Sequence, residues 1–283
     1  KSLKGRIEEL INNKGKSVNP WVIELDPTTA CNLACHDCIS ANLLNQGGFE
    51  RDRLKDIARE FKDFGIKAVV LIGGGEPMAH PEFGTIVDYF HDSGIHVGVT
   101  SNGTLIRKNL HTLANGTKWV RISIDAGSPE VFQKYRPHRS GKSQFNSIIE
   151  QMKELSKIKK GKLGYSFLVL SMYSEDKRPE TNATDIEKAA IVAKEIGCDY
   201  FEVKPSFDMM HFLVTQSDYV NNTVDEQLKN IRKLEDENFK IISPYTLKES
   251  LSGSSKQIKE YKRCLTAELR AVVSPSGTYV CPY

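Results

Sequence analysis

Residues 21–38 read WVIELDPTTACNLACHDC and predict a strand followed by a loop that carries three cysteines. The run over residues 21–25 has strand character, and the Asp-Pro pair that follows ends it. Cys31, Cys35 and Cys38 then have the spacing C-x3-C-x2-C. This spacing is poor for disulfides and suits a metal ion or a cluster. The stretch therefore predicts a metal-binding loop at the end of a first strand, in a reducing compartment.

Strand and helix patterns alternate along most of the chain. An amphipathic stretch over residues 4–13 predicts a lead-in helix, and further amphipathic helices separate the apolar runs. Six β–α units in a row favour an α/β fold with a parallel sheet and outer helices. The strands are predicted near residues 21–25, 68–72, 97–100, 119–124, 165–170 and 200–203.

The regular alternation loosens after about residue 206. Near the C-terminus, the turn sequence Pro-Ser-Gly separates two β-prone runs, 271–273 and 278–280, which predicts a β-hairpin. This hairpin is not part of the alternating strands and helices, and it predicts a second, small module. The predicted division is a lead-in helix over 1–20, an α/β barrel over 21–206, and a C-terminal helix with a small module over 207–283.

Three thiolates on one short loop have a specific consequence for metal chemistry. They can reach three corners of a [4Fe–4S] cubane, whereas electron-transfer clusters usually have four cysteine ligands. The fourth iron is then open to a substrate or a cosubstrate. The alternative is a structural zinc site that uses His36 or a distant cysteine as its fourth ligand. Zinc knuckles usually pair C-x2-C with a second such pair, and the sequence has no second pair.

The C-x3-C-x2-C motif after a first strand resembles that of the radical S-adenosylmethionine (SAM) superfamily, and residues 21–206 resemble its partial (β/α)6 TIM-like barrel. The resemblance implies a [4Fe–4S] cluster on Cys31, Cys35 and Cys38 whose open iron binds SAM. In that family an electron from the cluster, supplied by a donor such as flavodoxin or ferredoxin, cleaves SAM to a 5′-deoxyadenosyl radical that abstracts a substrate hydrogen. Asp37 departs from the family, many of whose members carry an aromatic or apolar residue there.

A glycine-rich segment, Gly-Gly-Gly-Glu-Pro over residues 73–77, follows the second predicted strand directly. By its residues alone it is a tight strand-to-helix turn with a carboxylate. It is not a phosphate loop, because no Lys-Ser/Thr follows. Beside the cysteine loop it resembles the GGE motif of the family. That resemblance implies that Gly74, Gly75 and Glu76 contact the SAM ammonium group.

Polar residues at two further strand ends resemble other SAM contacts of the family. Ser101 and Asn102 end the third predicted strand, and Ser123 and Asp125 end the fourth. The resemblance implies hydrogen bonds from these side chains to the SAM ribose or carboxylate. Capping of turns and helices is the alternative role for such residues. Ser166 on the fifth strand is a further candidate.

Two cysteines lie on either side of the predicted hairpin. Cys264 and Cys281 form the pattern C-x12-G-x3-C, which resembles the opening of SPASM or twitch modules that carry an auxiliary [4Fe–4S] cluster. Gly277 lies one residue closer to the second cysteine than in that pattern, and the cysteines that should follow are absent from the sequence. Two free cysteines are the alternative. Cys198 precedes the sixth predicted strand and is expected to pack in the core.

The resemblance implies a radical SAM oxidoreductase that acts on a peptide or on a sugar- or aminocyclitol-type small molecule. One alternative is a radical SAM epimerase, isomerase or activating enzyme without an auxiliary cluster, and another is a non-catalytic Fe–S or zinc scaffold. No residue is identified as catalytic, and Arg136 and Arg139 either pair with a carboxylate or lie at the surface. A net charge of +3 is too small to indicate a nucleic-acid partner. No apolar run approaches a membrane span, and a cytoplasmic location is expected.

Overall fold

The computed structural model describes residues 3–12, 19–173, 179–206, 216–253 and 264–280. The strands in this part of the chain are β1 Val22–Leu25, β2 Ala68–Leu71, β3 His96–Ser101, β4 Trp119–Ser123, β5 Lys162–Val169, β6 Ser171–Tyr173, β7 Pro179–Thr181, β8 Tyr200–Pro205, β9 Lys240–Ile242, β10 Arg270–Ser274 and β11 Gly277–Tyr279. The α-helices are α1 Leu3–Asn12, α2 Arg51–Asp63, α3 Phe83–Asp92, α4 Leu110–Gly116, α5 Pro129–Tyr135, α6 Phe145–Ile158, α7 Ile186–Ile196, α8 Asp218–Arg232, α9 Leu247–Leu251 and α10 Leu265–Leu269. Short 3-10 helices span Ala41–Leu43, Pro77–Ala79, Arg107–Asn109 and Ala183–Asp185.

One large sheet organises the molecule, with the strand order β11-β10-β1-β2-β3-β4-β5-β8-β9. Every neighbouring pair from β10 to β9 is parallel, and β11 pairs antiparallel with β10. Successive right-handed crossovers that advance in one direction place all the connecting helices on one face. The result is an open, partial β/α barrel whose edges are β9 and β11. The predicted fold class is confirmed.

Alternating burial along the strands separates an outer face from an inner face. On β4, Val120 and Ile122 are buried, whereas Trp119, Arg121 and Ser123 are partly exposed. The buried set packs under the helices, because consecutive outer helices contact one another and contribute their apolar stripes to one core. The opposite, inner face carries many polar side chains. Barrel chemistry takes place at the carboxyl ends of parallel strands. We call this edge of the sheet the upper rim, and we expect the site to lie there and on the inner face.

Helix α7 illustrates how local sequence sets an outer helix. Ile186, Ala189, Ala190, Ala193 and Ile196 recur at intervals of three to four residues and are all buried. The helix ends where the next residue, a glycine, adopts a left-handed backbone with φ of +87°. The chain then turns directly into β8.

The predicted C-terminal hairpin is present as β10 and β11. Its first strand pairs in parallel with β1, so the hairpin extends the main sheet. A salt bridge between Arg270 on β10 and the buried Glu24 on β1 fastens the two strands together. Cys264 is exposed immediately before α10, and Cys281 lies outside the described residues. The division of the chain into a barrel and a C-terminal module stays a prediction.

Two elements near the upper rim were not predicted. Helix α5 is a short element that follows β4, and the β6–β7 hairpin is inserted between β5 and α7. Tyr135 at the end of α5 donates its hydroxyl to the carbonyl of Glu180 on β7 at 3.0 Å, and Lys134 forms a salt bridge with the Glu180 carboxylate. These contacts hold the hairpin against α5. Across the described ranges, no helix combines the length and the apolar character needed to cross a membrane.

Candidate active site

The three-cysteine loop leaves β1 at the carboxyl edge of the sheet. Cys31, Cys35 and Cys38 are all partly exposed and unpaired thiols. The amide of Cys31 donates to the side-chain oxygen of Asn45 at 2.9 Å, and the amide of Glu76 donates to the carbonyl of Ala30 at 2.8 Å. The loop is therefore anchored from its own return segment and from the glycine-rich segment after β2.

A second segment, residues 135–139, supports the cysteine loop from the other side. The amides of Ala34 and His36 donate to the carbonyls of Pro137 and Tyr135 at 2.8 and 3.1 Å. In the opposite direction, the amide of Arg139 donates to the carbonyl of Asn32 at 3.0 Å. These antiparallel backbone contacts fix the path of the loop from Asn32 to His36, on both sides of Cys35. We call residues 135–139 the bracing segment.

Glu76 is a buried carboxylate at the centre of the upper rim, with 1% of its surface exposed. It accepts hydrogen bonds from the hydroxyl of Ser101 at 2.9 Å, from the amide of Asn102 at 2.7 Å and from the amide of Met78 at 3.1 Å. All three donors are neutral. Burial raises the pKa of Glu76 to about 7, although the hydrogen bonds oppose this shift. The carboxylate therefore favours a positively charged ligand group nearby.

Asn102 connects the end of β3 to the cysteine loop. Its side-chain amide lies 3.8 Å from the sulfur of Cys31 and donates to the side-chain oxygen of Asn32 at 2.9 Å. Thr104 donates its hydroxyl to the side-chain oxygen of Asn102 at 2.7 Å, which fixes the orientation of the amide. An N–H donor is thus held next to one cysteine sulfur.

A buried ion pair lies beside Cys35. Arg136 donates through Nε to Asp125 Oδ2 at 2.6 Å, and its Nη1 lies 3.6 Å from the sulfur of Cys35. Asp125 Oδ1 accepts from the amide of Leu168 at 2.7 Å, so both carboxylate oxygens already have donors. Burial opposes the charge on Arg136, but Asp125 and Cys35 outweigh it and raise the pKa of Arg136 above its usual value. Of the two roles considered for Arg136, the structure shows the carboxylate pair.

The backbone of Asp125 adds a further unusual feature. It has a φ of +56°, in the left-handed region, which costs on the order of 1 kcal/mol for a non-glycine residue. Asn182 stabilises this turn by donating to the carbonyl of Asp125 at 2.9 Å. Such strain tends to be retained at functional sites.

The glycines after β2 allow close approach of two backbones. A Cβ atom on Gly75 would lie 2.5 Å from the carbonyl oxygen of Ala30, and one on Gly73 would collide with the side chain of Asp26. Asp26 also accepts from the amide of Gly74 at 2.7 Å. Burial raises the pKa of Asp26 to about 6. Asp26 was not predicted as a site residue, although its position directly after β1 is a signal in the sequence.

The remaining candidates lie on the inner face at β4 and β5. Ser123 is the last residue of β4, is partly exposed and pairs in register with Ser166. Ser166 is buried. The structure therefore gathers the predicted residues of β2, β3, β4 and β5 along one rim, beside the cysteine loop.

The donor set of the loop fits an iron–sulfur cluster. Burial is the largest cause of the raised pKa of both Cys31 and Cys35, and each of these thiols also interacts electrostatically with Cys38. Ligation deprotonates such thiols, and the donors from Asn102 and Arg136 are placed to stabilise the sulfur charge that results. In the described part of the chain, no three His, Cys, Asp or Glu side chains are close enough to share one metal ion. A cubane does not need this, because each thiolate binds its own iron.

Comparison with known proteins identifies the class. Residues 25–178 match the Radical SAM superfamily, and the chain belongs to that superfamily. The predicted membership is confirmed, and the cofactors of the superfamily are a [4Fe–4S] cluster and SAM. The chain is similar to AdoMet-dependent heme synthase of Methanosarcina barkeri, with 26% identity over 65% of this chain and 50% of that protein. It is also similar to mycofactocin maturase MftC of Mycobacterium tuberculosis, with 31% identity over 48% of this chain and 34% of that protein.

Solved structures show the same fold over nearly the whole chain. Streptococcus suis SuiB bound to S-adenosylmethionine matches with a TM-score of 0.68 and 16% identity, covering 99% of this chain and 64% of SuiB. The chain therefore spans a third to two thirds of the length of these relatives.

Proposed function

We propose that this chain is a radical SAM oxidoreductase in which Cys31, Cys35 and Cys38 hold the [4Fe–4S] cluster. The observation that carries the proposal is the placement of an amide donor at Cys31 and a guanidinium donor at Cys35, on a loop braced by two other segments. When bound, the cluster would supply the electron for reductive cleavage of SAM, the chemistry that allows a hydrogen to be removed from the substrate. The residues of the protein would bind the cluster, SAM and the substrate next to one another.

The proposed SAM site lies along the upper rim of β2 to β4. Gly74 and Gly75 present backbone groups, and Glu76 presents a buried carboxylate to the SAM ammonium group. Such a cation would lower the pKa of Glu76 and offset the cost of its burial. Ser101 and Asn102 orient the Glu76 carboxylate through their hydrogen bonds.

Two residues at the end of β4 complete the proposed SAM site. Ser123 faces the inner side of the sheet and can donate to the ribose or the carboxylate of SAM. Asp125 acts through Arg136, which it holds against Cys35. In this role Asp125 positions the guanidinium group at the edge of the proposed SAM site.

The relatives suggest the kind of substrate. SuiB has been solved with its precursor peptide SuiA, whereas the similar 7-carboxy-7-deazaguanine synthase of Aquifex aeolicus makes a small molecule. We propose a peptide or a sugar- or aminocyclitol-type small molecule as substrate, and flavodoxin or ferredoxin as electron donor. A role with nucleic acid or at a membrane is not proposed, and a cytoplasmic location stays a prediction.

An auxiliary cluster in a SPASM- or twitch-type module is a further part of the proposal. Cys264 and Cys281 would be two of its ligands. Cys264 is exposed where the chain enters the C-terminal hairpin. Iron content of the full-length protein tests this part: the Cys31/Cys35/Cys38 triple alanine variant retains about four irons per chain if the auxiliary cluster forms, and none if it does not.

The main proposal is tested by SAM cleavage. The protein is reconstituted anaerobically with iron and sulfide, SAM and a strong reductant are added, and 5′-deoxyadenosine is quantified by mass spectrometry. Cys31→Ala, Cys35→Ala and Cys38→Ala are each expected to abolish 5′-deoxyadenosine formation. Cys198→Ala is the matched control, because Cys198 is buried in the outer core before β8. Cleavage retained in any of the three loop variants would contradict the proposed ligands.

A further inference from the structure

Three charged side chains form a cluster on the inner face of the sheet. Arg121 lies on β4, and Glu202 and Lys204 lie on β8. Arg121 Nη1 donates to Glu202 Oε2 at 3.1 Å, and Lys204 Nζ lies 3.2 Å from the same oxygen. All three side chains are largely shielded from solvent, with exposures of 24%, 17% and 24%. We call Arg121, Glu202 and Lys204 the inner charged cluster.

The intervening strand β5 makes room for this cluster. Gly164 pairs in register with Arg121, and Ser166 pairs in register with Glu202. Because Gly164 has no side chain, the ring of Tyr200 on β8 lies over it. The Arg121 side chain reaches β8 beside the small side chain of Ser166. Its guanidinium group lies 5.7 Å from the centroid of the Trp119 ring, which supports it from below.

The cluster has more positive than negative charge. Two cations share a single carboxylate, and Arg121 Nε is buried without a hydrogen-bond partner. Burial, reinforced by Arg121, lowers the pKa of Lys204, although Glu202 opposes the shift. Asp125 also attracts Lys204, but its carboxylate is already paired with Arg136. Buried charges are stable when they are paired, and among the described residues the two cations of the cluster have one carboxylate between them.

The position of the cluster indicates where that anion comes from. Glu202 is the register neighbour of Ser166, which is itself the neighbour of Ser123, so the cluster borders the rim proposed for SAM. Glu76 follows β2 and Asn102 follows β3, so these two residues lie at one end of the rim. Strand β8 lies three strands away from β3 in the sheet. This is roughly 14 Å along the sheet at ordinary strand spacing. A group bound at the cluster thus lies across the inner face from the cysteine loop and faces the proposed SAM site.

We propose that the inner charged cluster binds a carboxylate group of the substrate. This inference rests on the proposed function, because it assigns a substrate class to the same site. The substrate is then a carboxylic acid, or a peptide that presents an acidic side chain or its terminal carboxylate. The carboxylate contacts the exposed parts of the Arg121 and Lys204 side chains, and it holds the reacting part of the molecule toward the upper rim.

The test uses glutarate as the carboxylate probe and glutaramide as its neutral counterpart. Binding to the reconstituted protein with its cluster oxidised is measured by saturation-transfer difference NMR, with saturating SAM present. Glutarate is expected to bind and glutaramide is not. If the cluster instead held the carboxylate of SAM, bound SAM would exclude glutarate, and this result would overturn the proposal.

Substitutions in the cluster give effects of opposite sign. Lys204→Gln is expected to weaken glutarate binding about tenfold, as for the loss of one charged hydrogen bond. Glu202→Gln is expected to strengthen glutarate binding severalfold, because it removes the competing carboxylate. Lys153→Gln on the exposed side of α6 is the matched control and is expected to change binding less than about twofold.

A purely structural ion-pair cluster predicts different results. In that case the native protein binds neither glutarate nor glutaramide, or Lys204→Gln and Glu202→Gln weaken glutarate binding to the same extent. Either result overturns the proposal. SAM affinity should stay within about twofold in Lys204→Gln, and a large loss would also overturn it. Formation of 5′-deoxyadenosine is measured in parallel. If the native protein binds glutarate but forms no 5′-deoxyadenosine, the result contradicts the proposed function and leaves the carboxylate site standing.

Discussion

Replacing Glu76 with Gln isolates the free-energy cost of burying one carboxylate at the centre of the site. Glu76 is almost fully buried, and no cation contacts it among the described residues. Its pKa rises from 4.5 to about 7 in the folded protein. Each pKa unit corresponds to about 1.4 kcal/mol, so the shift represents on the order of 3 kcal/mol.

The sign of the effect follows from proton linkage. Between these two pKa values the folded protein keeps the Glu76 proton while the unfolded chain releases it. The stabilising contribution is therefore fully present below the unfolded pKa of 4.5, and it is lost as the pH rises through about 7. From about pH 5 to about pH 8, Glu76 should lower the free energy of unfolding by roughly 2 to 3 kcal/mol.

Urea unfolding of the reduced, cluster-free protein measures this contribution. Between pH 5 and pH 8 the native protein should lose roughly 2 to 3 kcal/mol more of its free energy of unfolding than the Glu76→Gln variant loses. Glu150→Gln, an exposed residue on α6, is the matched control and should keep the pH dependence of the native protein. If Glu76→Gln and the native protein had the same pH dependence, the assignment of Glu76 as a buried, unpaired carboxylate would be refuted.

Two further substitutions test the packing around the cysteine loop. Gly75→Ala would place a Cβ 2.5 Å from the backbone of Ala30, so urea unfolding should show a loss of roughly 1 to 3 kcal/mol. In Gly84→Ala on α3 the added Cβ meets the Thr112 hydroxyl at an ordinary contact distance of 3.6 Å, so this control should not destabilise the protein. Equal effects of the two substitutions would show that the close approach at Gly75 is unimportant. Arg136→Met leaves Asp125 buried without its partner, and a loss of roughly 3 to 5 kcal/mol is expected. Unchanged stability in this variant would mean that the ion pair is not buried as described.

The alternation of strands and helices was predictable because each barrel strand has a strong local signal. Residues 68–71, for example, form an uninterrupted apolar run, and they are strand β2 in the structure. The cysteine and glycine-rich motifs were also predictable, because their chemistry is confined to short stretches of sequence. The strand signals and the two motifs are both formed by residues that are adjacent in the sequence.

The contacts missed by the sequence analysis join residues that are far apart in the chain. The bracing segment meets the cysteine loop about a hundred positions upstream, and no local pattern indicates that pairing. The pairing of Arg121 with Glu202 likewise joins residues 81 positions apart in the chain. Helix α5 spans seven residues, which is too short for a clear periodicity.

Electron paramagnetic resonance of the reduced, reconstituted protein tests the central claim most directly. If Cys31, Cys35 and Cys38 hold a cluster with one open iron, the native protein gives a reduced [4Fe–4S] signal that changes when SAM is added. The triple alanine variant should lose the SAM-responsive signal. A signal that does not respond to SAM, or one that still responds without the three cysteines, would contradict the account.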